Sequence, residues 1–317
     1  MSPRVSVVLT TFARPHLVAK AVASVLVQTV RDLELIVVLD GPDAETERVL
    51  RDLPDPRVRV RVREERGGQP AAINTGVALA RASWTALLDD DDEWHPEKLA
   101  VQLRAAESSA SPEPVIGCRF LARSESGDVL WPLRPPRPGE RASEYLFCRS
   151  QFAFGEGILP TSVLFGPTDL FRREPMSVDL VKHCDIDWLC RVDRLDGTSV
   201  EVPFGEKPLA VWQRQGGRER RSNQHDWRLS HAWITRLRER VPGAVTERAY
   251  AGFLLTWVSL SARTERDLAA FPFLLKEALR HGRPGARELL AYAAVWGLPL
   301  DFRARVSQAM AVRPRTA

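Results

Sequence analysis

Several features are scarce in this 317-residue chain. Its four cysteines, Cys118, Cys148, Cys184 and Cys190, form neither a CxxC pair nor a histidine-coupled zinc pattern. Four in a chain of this length exclude a disulfide framework, so they read as reduced, mostly buried thiols. The longest apolar stretches, 251–262 and 289–300, are about a dozen residues, short of the roughly 20 that cross a bilayer. No transmembrane helix is expected. The start Met1-Ser2-Pro3-Arg4 has no charged, apolar and small-residue leader pattern, which predicts a cytoplasmic protein. Internal repeats and low-complexity segments are also missing, and lysine is rare, since 40 of the 45 basic residues are arginine.

What remains is the composition of a globular protein, 44% hydrophobic and 27% charged, long enough for one large domain or a domain with an appendage. The net charge of +4 is unevenly placed. Residues 226–317 carry +7 and the rest −3. An acidic N-terminal part, and a basic excess without interleaved aromatics, argue against nucleic-acid binding. The basic tail is a candidate for peripheral contact with an anionic membrane at the inner face, and for homo-oligomer contacts through its helices.

Residues 5–9 are a short apolar β-branched run, and after a loop the set Leu17, Val18, Ala21, Val22, Val25 and Leu26 repeats with helical period. Residues 33–39 form a second apolar strand, closed by the turn signal Asp40-Gly41-Pro42-Asp43. Val58, Val60 and Val62 alternate with arginines as in an edge strand, Gly67-Gly68 breaks the chain, and a helix is expected over 70–82. A strand at 84–88 follows. This βαβαβαβ order predicts a doubly wound α/β sheet whose ligands bind at the strands' carboxyl ends. Further strands are expected at 115–121, 129–131, 162–165 and 207–212, with a helix over 185–195. Helices over 227–240, 246–262, 265–281 and 285–296 then make a C-terminal helical region. The expected division is a domain over 1–224 and a helical region over 225–317.

Four consecutive aspartates, Asp89 to Asp92, follow Trp84-Thr85-Ala86-Leu87-Leu88. Adjacent like charges repel, so a compact state tolerates them best when water or a cation screens them. One or two could serve the helix opened by Pro96, and the run by itself is as compatible with a solvated loop as with a metal and phosphate site.

The chain resembles the inverting glycosyltransferases of family 2, which have the GT-A fold. The resemblance covers about residues 4–215 and rests on an ordered series. Val-Ser-Val-Val-Leu-Thr-Thr-Phe-Ala-Arg-Pro stands at 5–15, Ser24 to Thr29 with Gln28-Thr29 comes next, and Asp40-Gly41 follows the second strand. Residues 68–76 with Asn74 come next, then 88–99, and last Asp185, Asp187, Trp188, Leu189 and Arg191, which resemble the acceptor-side motif.

The resemblance implies a doubly wound GT-A Rossmann-like mixed sheet and transfer of a sugar from a UDP- or TDP-sugar to an acceptor hydroxyl. It maps a DxD motif onto Asp89-Asp90-Asp91. Asp91 is expected to ligate Mg²⁺ or Mn²⁺, and Asp89 to reach the metal through water or to contact the ribose. Asp90 is counted with the donor contacts, and Asp92 is the alternative ligand. Such an ion screens a diphosphate and neutralises the departing charge. Asp40 is expected to accept a base N–H from uracil or thymine, against the alternative of a turn-forming aspartate. Thr10, Thr11 and Phe12 would pack on the base, with Arg14, Asn74 and Arg214 as further donor contacts. Asp185 is the candidate general base, against a reading as a simple helix cap. Asp187 and Arg191 read as structural, and His183 as polar surface or an acceptor contact. Arg218, Arg220 and Arg221 are candidate phosphate contacts on a lid over 216–223. Trp94 and Trp131 read more as core than as cleft aromatics. Ala13 stands where the family commonly has Asn, Leu39 where it has Asp, and Cys184 where it has Glu.

Two other functions fit the residues less well. A sugar-nucleotide-forming nucleotidyltransferase would need a glycine-rich basic first loop, and residues 10–15 hold no glycine and only Arg14. A catalytically degenerate binding scaffold would fit Ala13 and Cys184, but not the presence of both Asp91 and Asp185.

Overall fold

The computed structural model describes residues 2–53, 55–125, 127–150, 155–205, 207–214 and 226–299. The β-branched runs form the expected interior strands. β1 (Val5–Thr11) and β2 (Leu33–Leu39) are buried along their whole length, as strands covered by helices on both faces must be. Helix α1 (Pro15–Leu26) starts on a proline and buries Leu17, Val18, Ala21, Val22 and Val25. Helix α2 (Ala44–Arg51) is capped by Asp43, whose carboxylate accepts the Thr46 N–H.

β3 (Val58–Val62) is the exposed edge strand that its alternation predicts, paired in parallel with β2. Helix α3 (Gly68–Leu79) crosses back to β4 (Trp84–Asp89). It can lie close to the sheet because a Cβ at Gly76 would stand 2.3 Å from Val8 Cγ1.

The remaining elements are β5 (Glu93–Trp94), α4 (Lys98–Glu107), β6 (Glu113–Ile116), β7 (Phe120–Ser124), β8 (Gly127–Trp131), α5 (Ala142–Phe147), β9 (Phe165–Pro167), α6 (Thr168–Arg173), α7 (Cys184–Val192), β10 (Thr198–Glu201) and β11 (Ala210–Gln213). The main seven-stranded sheet has the order β10-β6-β9-β4-β1-β2-β3, parallel except for the pairings of β9. A four-stranded sheet, β5-β11-β7-β8, stands beside it. The mixed doubly wound sheet is therefore as expected, and strand order reverses beside β1, where such folds open a ligand crevice.

Two strand expectations shift. The run at 115–121 divides into β6 and β7 because the chain leaves one sheet for the other between Ile116 and Phe120. Residues 161–163 form a tight 3₁₀ turn rather than a strand, and pairing with β4 begins only at Phe165. In this turn the Ser162 hydroxyl is engaged with the distant aspartate run.

The C-terminal region contains α8 (Trp227–Arg240), α9 (Glu247–Phe253), α10 (Ser259–Thr264), α11 (Ala270–His281) and α12 (Ala286–Gly297). A π-helical turn, Leu254–Val258, joins α9 to α10. Its apolar residues belong to the same buried cluster as the sheet, which contains Val5, Trp188, Trp233, Phe253 and Tyr292 together. Close approach supports that continuity: a Cβ at Gly252 would stand 2.6 Å from the Phe147 carbonyl oxygen. No described helix is long and apolar enough to cross a membrane.

Candidate active site

Register places the first contacts. Thr10 is the partner of Asp89 across β1 and β4, and Thr11 is the partner of Leu39 across β1 and β2. The loops after β1, β2 and β4 therefore meet at one sheet edge, around a cleft of about 320 Å³. Thr10, Thr11, Phe12, Arg14, Asp40, Asp89, Asp90 and Asp91 line one part of it, and Thr161, Lys182, His183, Cys184, Asp185 and Trp212 another.

The four aspartates have distinct surroundings. Asp89 Oδ1 accepts Gln69 Nε2 at 2.5 Å, and the Asp89 N–H donates to Ser162 Oγ at 3.0 Å. Asp90 is buried, accepting Thr11 Oγ1 at 2.7 Å and Arg14 Nη1 at 2.9 Å. Asp91 also lines the cleft, 3.7 Å from the Arg14 guanidinium. Asp92 turns inward, accepting Ser162 Oγ at 2.5 Å and the Gln213 N–H at 2.9 Å. Behind them, Gln28 binds the His95 carbonyl and the Leu99 N–H, so the Gln28-Thr29 signal anchors the loop after the aspartates to α1.

Carboxylate oxygens of Asp89, Asp91 and Asp92 lie within 4.8 Å of one another. This hard-oxygen set suits Mg²⁺ or Mn²⁺. Of the three, Asp89 and Asp91 line the cleft and Asp92 is not among its lining residues. Burial, followed by the charges of Asp92, Asp91, Asp90 and Asp185, pushes Asp89 well above the usual carboxylate range. Asp90 is also raised by burial, against the opposing pull of Arg14 and Thr11.

On the donor side, Asp40 Oδ1 accepts Arg63 Nη1 at 2.5 Å and the Gly67 N–H at 3.0 Å, while Oδ2 accepts the Gly68 N–H at 2.8 Å. These bonds of the Asp40 carboxylate thus brace residues 63–68 rather than its own turn, and Oδ2 keeps a further acceptor position. Arg66 lies 3.9 Å above the Phe12 ring, an approach that Gly41 permits, because a Cβ there would stand 2.9 Å from Arg66 Cγ. Neither Arg66 nor Gln69 is marked by sequence spacing. Arg14, the one cation of the first loop, is spent on Asp90 and Asp91, which suits a triphosphate cradle poorly.

Asp185 lies in the first turn of α7, and its Oδ1 accepts the Ile186 N–H at 2.8 Å. Burial raises its pKa, with Ile186 and Thr161 hydrogen bonds opposing. Cys184 is pushed well above the ordinary thiol range by burial and by Asp185 and Asp89, so it stays a neutral neighbour. Asp187 points away from the cleft to Ser177 Oγ, Arg191 Nε and Trp233 Nε1, and Arg191 bridges it to Glu174. Both are structural, as expected.

Some expected site residues are not gathered here. Asn74 pairs both ends of its carboxamide with the main chain of Met176, at 2.9 Å each, and braces α3 against that loop instead of lining the cleft. Arg214 lies over Trp131 and Trp212, at 5.0 and 5.6 Å from the ring centres, beside the cleft rather than among its lining residues. Arg218, Arg220, Arg221 and the 216–223 lid lie outside the described residues. Trp94 and Trp131 are core residues, and the tryptophan among the described cleft-lining residues is Trp212.

The model of the family described as "Glycosyl transferase family 2" matches residues 6–176. An uncharacterized glycosyltransferase, RP339 of Rickettsia prowazekii, is 24% identical over 182 residues, 57% of this chain and 56% of that protein. The putative colanic acid biosynthesis glycosyl transferase WcaA of Escherichia coli is 28% identical over 148 residues, 45% of this chain and 53% of that protein. The chain thus spans about half the length of these curated relatives. Among solved structures, S. aureus TarS 1-349 in complex with UDP-GlcNAc superposes with a TM-score of 0.60 at 14% identity, over 95% of this chain and 92% of that one. Mannosyltransferase PcManGT from Pyrobaculum calidifontis, in complex with GDP-Man and Mn2+, gives 0.55 at 18% identity, over 98% and 85%. At these identities the structural likeness establishes the GT-A fold.

Proposed function

The chain belongs to glycosyl transferase family 2, and on that premise we propose that it transfers a glycosyl residue from a UDP- or TDP-sugar to an acceptor hydroxyl with inversion at the anomeric carbon. One observation carries the reading. The cleft that holds Asp89 and Asp91 at the end of β4 also receives Asp185 from the start of α7, so a diphosphate site and a proton acceptor face one space.

The base packs at Thr10 and Phe12, and the open acceptor site on Asp40 Oδ2 takes a pyrimidine N–H. Nucleotide-sugar complexes of the fold neighbours support a nucleotide sugar in this cleft, and the Mn2+ complex of the mannosyltransferase supports a divalent ion. Asp89 and Asp91 would hold that ion, which supplies charge neutralisation for the departing diphosphate. Arg14 adds fixed positive charge beside them, held in place by Asp90.

Asp185 accepts the proton of the acceptor hydroxyl as its oxygen bonds to the anomeric carbon. The bond from that carbon to the phosphate oxygen breaks, and the nucleoside diphosphate leaves with the electron pair. A base desolvated as Asp185 is binds protons more readily than an exposed aspartate, which suits it to accept one near neutral pH.

The test pairs two substitutions. Asp91→Asn should remove the Mn²⁺ dependence of UDP affinity measured by calorimetry. Asp185→Asn should keep UDP binding but lower turnover of a UDP- or TDP-hexose panel by ~10²-fold or more. Metal-independent binding by the wild-type chain would overturn the metal assignment, and full turnover by Asp185→Asn the base assignment.

A further inference from the structure

His183, two residues before Asp185, has φ +70 in the left-handed region that side chains other than glycine rarely adopt. Such a conformation persists where the surroundings over-determine it. Here the surroundings come from the C-terminal helices. The His183 ring stacks on Trp233 of α8, with centroids 4.5 Å apart and planes 29° apart. Phe253, at the end of α9, meets the same ring edge-on at 5.7 Å, and Ser230 Oγ lies 2.8 Å from His183 Nε2.

Trp233 also reaches past Asp185. Its Nε1–H donates at 3.0 Å to Oδ1 of Asp187, and that residue's main-chain N–H donates to the His183 carbonyl at 2.8 Å. One buried indole therefore holds both flanks of the turn that carries Asp185, by its face on one side and its N–H on the other. Phe253 is supported in turn. The π-helical turn begins directly after it, a rare geometry that is frequent at functional sites. The carbonyls that this turn disturbs are satisfied by Thr256 Oγ1 on Gly252 and Ser259 Oγ on Leu254.

We propose that Trp233 is a positioning residue: through His183 and Asp187 it fixes the turn that aims Asp185 into the cleft, which makes the C-terminal helices a working part of the transfer site. The inference rests on the reading of Asp185 as the base, and it says what holds that base.

Two mild variants of the full chain test it. Trp233→Phe keeps the aromatic face and removes the N–H, while His183→Asn tolerates the left-handed backbone and removes the stack. Each should lower kcat for hydrolysis of the UDP- and TDP-hexose panel about tenfold, with UDP–Mn²⁺ affinity within about twofold of wild type and Tm nearly unchanged. Independently of turnover, amide hydrogen exchange across residues 183–188 should rise about tenfold in both, with that of β4 unaltered. Unchanged exchange there overturns the inference. So does a parallel loss of kcat, UDP affinity and Tm, which would mark general destabilisation. If Asp185→Asn abolishes turnover while both variants turn over normally, the positioning role alone fails. If Asp185→Asn turns over normally, the base assignment fails first and takes the inference with it.

Discussion

The main-chain N–H of Gln213, on the last strand of the smaller sheet, donates to Asp92 Oδ1 at 2.9 Å, while Ser162 Oγ donates to Asp92 Oδ2 at 2.5 Å. The fourth aspartate thus ties β11 and the 161–163 turn to the end of β4. Asp92→Ala leaves one buried donor, Ser162 Oγ, and one half-buried donor, the Gln213 N–H, without this acceptor and should cost about 2 kcal/mol in denaturant unfolding. Asp92→Asn, which keeps the Gln213 contact, should cost less and retain Mn²⁺-dependent UDP binding. Loss of that dependence in calorimetry would make Asp92 a third ligand.

Asp89 carries a pH signature. Its folded-state pKa is raised, so the folded chain keeps a proton that the unfolded chain gives up at a lower pH. That linkage stabilises fully below the unfolded value and is lost as pH rises toward the folded one. In the metal-free protein the stability difference between Asp89→Asn and the wild type should therefore shift in favour of the variant as pH rises above the ordinary carboxylate range. Asp89→Asn should also abolish stabilisation by Mn²⁺. Because ligation needs the ionised form, Mn²⁺ binding should release protons, detectable by calorimetry in two buffers of different ionisation enthalpy.

Ala13 has φ +54, and its N–H donates to Asp43 Oδ2 at 2.8 Å, which fixes the first turn after β1. Left-handed backbone is costly for alanine and is tolerated by asparagine. Ala13→Asn should gain about 0.5–1 kcal/mol in denaturant unfolding with Thr10 and Phe12 still in place. An equal loss would show that the loop relies on alanine's small volume.

Lys98 is fully buried, with Nζ 2.7 Å from Gln102 Oε1 and 3.8 Å from the centre of the Trp94 ring. Burial pushes its pKa down from 10.5 to about 8. Between those values the unfolded chain binds the extra proton, so this group adds stability as pH rises through that window. Lys98→Met should match or exceed wild-type stability near neutral pH, as replacing a buried charge by an apolar chain of similar length often does. Its relative advantage should shrink as pH rises above about 8. Cys118, pushed up to about 11 by burial, remains a thiol across most of the window. Wild-type and variant curves that stay parallel with pH would show that Lys98 is not titrating there.

The sheet was legible because its interior strands are continuous β-branched runs and its helices repeat with their own period. The carboxylates at strand ends were legible as well, since loops at the carboxyl edge are where charge collects in this topology. Less visible were contacts that close over long stretches of chain. Ser162 meets Asp92 70 residues away and Gln213 meets it from 121 residues away, and neither spacing leaves a local pattern. For the same reason the strand expected at 162–165 became a turn, Trp212 came to the cleft without a mark in the sequence, and Asn74 went to Met176.

By itself the sequence determined the kind of sheet, the edge at which its loops gather and the residue types that gather there, because periodicity and composition act over a few neighbours at a time. Only the tertiary structure decided how four adjacent aspartates divide: three lining the cleft, one of these held by Thr11 and Arg14, and the fourth turned inward to Ser162 and Gln213. It also decided that the turn bearing Asp185 is clasped by Trp233 from a distant helix. The physical reason is common to both: a side chain's role follows from the partners that packing brings to it, and those partners come from elements far apart in the chain.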